Sequence, residues 1–127
     1  MTRATYLPVP HVFNLNHACF VIQQAFGWGS CYLVGSATAR RDYRDVDVRV
    51  ILDDAEFERL FPGCTQNRAL HPLWSLVCAA ISNYLEAHTG LPIDFQIQSR
   101  TEANNEQEHP GKRIPLGIFV KPTGGPI

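Results

Sequence analysis

Two aspartates set two residues apart in a run of valines have the clearest chemical potential in this chain. They lie in Asp45-Val46-Asp47-Val48-Arg49-Val50. Side chains alternate between the faces of a strand, so Val46, Val48 and Val50 face one way and Asp45, Asp47 and Arg49 the other. Carboxylates placed so have Cα atoms about 7 Å apart and repel when left alone. A divalent cation turns that repulsion into coordination, because Mg²⁺ prefers carboxylate oxygens and substrate phosphates. Ile93-Asp94-Phe95-Gln96-Ile97-Gln98 alternates in the same way, with Asp94, Gln96 and Gln98 on one face. Neighbouring strands lie ~4.8 Å apart, so pairing of the two segments would let Asp45, Asp47 and Asp94 converge. Three converging carboxylates are what a two-metal phosphoryl-transfer site needs. One ion activates the attacking oxygen, and the other binds the triphosphate and leaving group.

The apolar run Cys31-Tyr32-Leu33-Val34 ends in Gly35-Ser36, and eight residues separate Ser36 from Asp45. Glycine lets backbone approach a phosphate closely, and a serine hydroxyl with nearby N–H groups can bind phosphate oxygens. Arg40, Arg41 and Arg44 fall in the connection between these motifs. They could grip a triphosphate or a nucleic-acid acceptor, or form a solvated basic loop. Arg49 shares the acidic face, where it can pair with an aspartate. Alternation of this kind is also what a half-exposed strand shows, and the Gly-Ser turn with the later Asp94 tilts the reading toward a site.

The elements that must hold these residues follow from periodicity. Residues 1–13 read as an extended lead-in, and Asn14 or Asn16 caps a helix that stops at Gly27. Strands are expected over 31–34 and 45–52. Asp53 or Asp54 then caps a short helix over 55–60, broken by Pro62-Gly63. Pro72 opens a helix in which Leu73, Leu76, Val77, Ala80, Ile81, Tyr84 and Leu85 recur at helical spacing, with Gly90 as its stop. A strand over 93–98 follows, then a polar stretch over 99–112 that is a loop or one short helix. An edge strand over 116–120 and a loose tail over 122–127 close the chain. Trp28 and Trp74 read as core or packing residues. The order of helices and strands predicts an α/β or α+β domain with a short mixed sheet flanked by helices.

Composition bounds the rest. A length of 127 residues fits one domain, and 45% hydrophobic with 18% charged residues is ordinary for a folded globular chain. A net charge of −1 gives no global affinity for nucleic acid. Cys19, Cys31, Cys64 and Cys78 form no C-x-x-C pair, and the apolar runs around Cys19, Cys31 and Cys78 favour a reducing compartment. No apolar run approaches the ~20 residues that span a bilayer, and the N-terminus lacks the apolar core of a signal peptide. The expected location is the cytoplasm, with no membrane partner.

The pattern of an apolar strand, Gly35-Ser36, a spacer, Asp45-Val46-Asp47-Val48 and a later Asp94 resembles the nucleotidyltransferase superfamily related to DNA polymerase β, in its minimal single-domain members. The likeness covers roughly residues 15–98. It implies a nucleotidyltransferase fold in which Gly35 and Ser36 contact the nucleotide phosphates and Asp45, Asp47 and Asp94 bind Mg²⁺ or Mn²⁺. It also implies that Asp94 helps activate the attacking hydroxyl. The expected activity is transfer of a nucleoside monophosphate from an NTP, ATP foremost, to a protein, RNA or small-molecule acceptor. Minimal relatives often serve as the antitoxin partner of a toxin. Two departures, a slightly short spacer and no sizeable domain after the third acid, keep open a weakened nucleotide-binding or assembly module.

Overall fold

The alternating valines of the acidic segment dictate a strand with one apolar face, and that strand is the middle of the molecule. In the computed structural model of the chain, the described residues are 5, 7–39, 44–105 and 112–117. Strand β1 spans Cys31–Val34 and β2 spans Val46–Leu52. Strand β3 spans Ile93–Ser99, and β4 is the short Ile114–Pro115. They form one sheet in the order β3-β2-β1-β4. β2 runs parallel to β3, whereas β1 is antiparallel to both β2 and β4. The fold is α+β: a small domain with a four-stranded mixed sheet flanked by helices.

Val46, Val48 and Val50 are fully buried in a core that also holds Leu33, Phe95 and Ile97. Helix α1, Val9–Phe26, adds Leu15, Cys19 and Ile22 to that core. Helix α3, Pro72–Thr89, packs on β3 and on α1, and contributes Cys78 and Leu85. The Trp74 indole donates to the Ile97 carbonyl at 2.9 Å, which ties α3 to β3. Gly90 ends α3 in the left-handed conformation expected of a helix stop. Among the described residues, no helix is long and apolar enough to cross a membrane.

Several expectations shift in detail. α1 begins at Val9, not after Asn14 or Asn16, because Pro10 in the first turn lacks an N–H that the helix would leave unpaired there. Asp53 stands at the start of α2, Asp54–Leu60, but does not cap it. The Asp53 carboxylate instead accepts from Arg100 at 3.1 Å, and that of Asp54 accepts from the Thr101 amide at 3.0 Å. Together they bind α2 to α4, Arg100–Asn104, which Ser99 and Glu102 start with a reciprocal capping box. Thr101 also holds the Asp54 carboxyl below its ordinary range through its side-chain hydrogen bond. Leu73 and Leu76 turn outward, at 51% and 67% exposure, so the buried side of α3 is the narrower set around Cys78 and Leu85. Trp28 is 42% exposed and is not a core residue. The last strand comes earlier than expected, at β4, and residues 118–120 and the tail 122–127 lie outside the described residues.

Gly117 seats the segment after β4 on α1. Its N–H donates to Asn16 Oδ1 at 3.0 Å, and its φ is +76°. A Cβ there would lie 2.6 Å from the Cys19 carbonyl oxygen, which is helix backbone and cannot yield. Gly90 has a similar φ, +71°, but open space around it. Gly90→Ala should therefore cost about 1 kcal/mol, the strain of a left-handed alanine alone, and Gly117→Ala clearly more. Urea melts of both variants check this, and equal losses would mean that Gly117 does not seat against α1.

Candidate active site

Strand directions decide which residues share an end of the sheet. β1 ends where β2 begins, because the two are antiparallel, and β3 begins there too, because it is parallel to β2. Val34 lies opposite Asp47, and Asp47 lies opposite Asp94. Gly35 and Ser36 follow Val34 directly, so the Gly-Ser turn, Asp47 and Asp94 meet at one edge. Register partners point to the same face, so the side chains of Asp47 and Asp94 share one face. The expected pairing of the two acidic strands is thus present.

Gly35 leaves β1 with φ +78° and ψ −156°, a conformation other residues rarely adopt. The chain then makes a 3₁₀ turn over Ser36–Thr38. The Gly35 carbonyl accepts from both the amide of Thr38, at 3.1 Å, and its hydroxyl, at 2.7 Å. Thr5 donates to the Ala37 carbonyl at 2.7 Å, and Lys112 Nζ to the Thr38 carbonyl at 3.3 Å. Thr5, Thr38 and Lys112 thus brace the turn, and none was singled out by motif. Lys112 arrives there because the segment leading into β4 runs alongside β1, and a separation of 74 residues leaves no local signal for that.

Arg49 stands between the two acids. Its Nη2 lies 3.9 Å from Asp47 Oδ1 and 3.5 Å from Asp94 Oδ2. Its Nη1 donates to the main-chain carbonyls of Asp94, at 2.7 Å, and Val48, at 3.1 Å. The side chains of Arg49 and Asp47 are 5% and 10% exposed, whereas that of Asp94 is 43% exposed. A charge buried to this degree needs a partner, and the trio supplies it. The pairing of Arg49 with an aspartate, foreseen from its place in the strand, holds with both acids at once.

The remaining expected residues fall differently. Asp45 and Arg44 precede β2 and are exposed. Arg40 and Arg41 lie outside the described residues. Among the described residues, no three His, Cys, Asp or Glu side chains gather closely enough to hold a metal ion. Asp47 and Asp94 fit a hard divalent cation in the kind of oxygen they offer, with a guanidinium beside them. Cysteine nucleophiles have no support here. Burial pushes the Cys78 thiol up to about 11, and Cys31 is raised well above its ordinary value, first by its hydrogen bond with Cys19. Burial likewise raises Cys64, so these three are thiols, not thiolates, at neutral pH.

No family model matches the chain, and no curated protein or solved structure does.

The trio sets a stability test. Asp47→Asn keeps the shape of the side chain and removes a charge from a buried pair. Three unpaired acids would gain stability from that change, through relief of repulsion. Because Arg49 pairs with Asp47, the metal-free variant should instead lose about 2 kcal/mol, less than the 3–5 of a fully broken buried pair, since Asp94 still faces Arg49. A thermal melt without divalent ions reads the difference, and a rise in melting temperature would show that repulsion outweighs the pair.

Proposed function

We propose that this chain is a minimal nucleotidyltransferase that moves a nucleoside monophosphate from an NTP to a hydroxyl or other nucleophile. The observation that carries this reading is the meeting of the Gly35-Ser36 turn, Asp47 and Asp94 at one edge of the sheet. ATP is the expected donor, and a protein, an RNA or a small molecule the acceptor. A new bond forms between the acceptor oxygen and the α-phosphorus, the α–β phosphoanhydride breaks, and pyrophosphate leaves.

Each residue has a task in this reading. The braced turn offers backbone and the Ser36 hydroxyl to phosphate oxygens, in a loop that needs little reordering on binding. Asp47 and Asp94, with Asp45 swinging in from the strand's start, hold Mg²⁺ or Mn²⁺. The ion neutralises phosphate charge and polarises the attacking oxygen when bound. Asp94, the more open carboxylate, faces the side from which an acceptor can approach and takes part in accepting its proton. Arg44, exposed beside Asp45, adds a positive charge for the triphosphate, with Arg40 and Arg41 as further candidates. Four free, buried cysteines agree with a reducing cytoplasm. A toxin protein as acceptor, in an antitoxin-type pairing, is the most specific version of this reading.

The trio centred on Arg49 favours a second reading, a nucleotide-binding or assembly module that does not turn over. A site whose charge an internal cation already offsets in part has less call on a metal. Two measurements separate the readings. Saturating Mg²⁺–ATP, at a hundred times its dissociation constant, should stabilise the fold by about 2.7 kcal/mol, or roughly 10 °C in melting temperature. Pyrophosphate release with an acceptor, or an added nucleotide mass on a co-expressed partner, then marks the enzyme. Stabilisation without release marks the module. No shift with any of the four NTPs would exclude both, and a shift that persists without metal would assign binding to the turn and the arginines alone.

A further inference from the structure

Arg49 is an unusual neighbour for two carboxylates expected to hold a metal ion. A guanidinium stays charged at every accessible pH, so it cannot step aside by losing a proton. Its two nitrogens play different parts. Nη1 is fixed by hydrogen bonds to the Asp94 and Val48 carbonyls at 2.7 and 3.1 Å. Nη2 lies 3.5 and 3.9 Å from the two carboxylates, beyond the 2.7–3.2 Å of an N–H···O hydrogen bond. The arginine is thus anchored by backbone, and its charge is held near both acids. The anchor is itself part of the sheet, since Val48 belongs to β2 and Asp94 to β3.

We infer that Arg49 is a built-in counter-cation that competes with the divalent ion for Asp47 and Asp94 and so sets the metal affinity of the site. The inference rests on the reading of Asp47 and Asp94 as metal ligands. It follows from charge and position. Two carboxylates on adjacent strands need a cation to lie in register, and Arg49 provides one from within the sheet. A divalent ion at the same oxygens meets repulsion from a guanidinium that the backbone keeps in place. The carboxylates must turn away from Nη2 before they coordinate. The triphosphate, with its own negative charge, then gives the guanidinium a new partner, so metal and nucleotide bind best together. Arg49 acts through the two acids and is a positioning residue.

The test compares Mn²⁺ binding, by the loss of the free-ion electron paramagnetic resonance signal, in the wild-type chain, Arg49→Gln and Arg49→Lys, without nucleotide. Arg49→Gln should bind Mn²⁺ at least tenfold more tightly than wild type and gain more in melting temperature on adding it. Arg49→Lys, which keeps the charge, should stay near wild type. A merely structural arginine would leave Mn²⁺ affinity unchanged or lowered in both variants, and that result overturns the inference while leaving the metal site intact. No binding to any of the three chains overturns the inference and the metal-site reading together. Should Arg49→Gln fail to fold, Mg²⁺ titration of the wild-type chain decides: the guanidinium resonances of Arg49 must shift with the same midpoint as the backbone of Asp47 and Asp94. Unmoved resonances overturn the inference.

Discussion

A fully charged side chain in the middle of the central strand is the constraint to which the rest of this domain answers. Arg49 is almost wholly buried, and charge that leaves water must be met by partners at close range. Asp47 meets it along the same strand, and Asp94 across the parallel ladder. The main-chain carbonyls of Val48 and Asp94 meet it as well, although both belong to paired strands. A carbonyl has two lone pairs, so it can serve the ladder and the guanidinium together. The register of β2 against β3 and the pairing of Arg49 with both acids are therefore one fact. A slip of one residue would turn Asp94 to the valine side and leave Arg49, now opposite Gln96, facing Phe95 or Ile97.

The opposite face of β2 explains why such a trio is tolerated. Val46, Val48 and Val50 lie in a continuous apolar layer with α1 and α3, and every residue of β2 is buried. Burial of a branched aliphatic side chain is worth roughly 1.5–3 kcal/mol, so the three valines work against the desolvation of the ion trio. The sheet holds β2 between two neighbours, so its polar groups have partners on both edges. Central placement gives Asp47 rigidity, and Asp94, on the edge strand β3, is the more open of the two acids. The function we propose would need both, because reacting groups must be held in place and still be reached.

The turn after β1 shows the same division of labour at the sheet's edge. Gly35 supplies a backbone angle that a side chain would oppose, and Thr38 closes the turn on itself. Lys112 and Thr5, far apart in the chain, clamp it from either side. The outcome is a fixed loop beside two acids, in a chain whose net charge alone gives no hint of a polyanion partner.

What could be read from the residues was the set of strands and their faces. Alternation at period two marks Val46, Val48, Val50, Phe95 and Ile97 as core and groups Asp47, Arg49 and Asp94 as polar, because the pleat allows no other assignment. Pro72, Gly27 and Gly90 mark helix ends for reasons confined to their own backbone. Tertiary structure alone decided the rest. The start of α1 moved to Val9 because Pro10 suits a first turn as well as an extended segment. Leu73 and Leu76 turned outward because helical spacing gives a stripe but not its width. Asp53 and Asp54 bound α4 instead of capping α2, since a carboxylate accepts from whichever donor the fold brings near. The separation of Asp45, exposed before β2, from Asp47, buried within it, has the same origin. Identical residues two apart look equivalent in a period-two pattern, and only the strand's actual beginning at Val46, with Arg49 reaching between Asp47 and Asp94, makes them different.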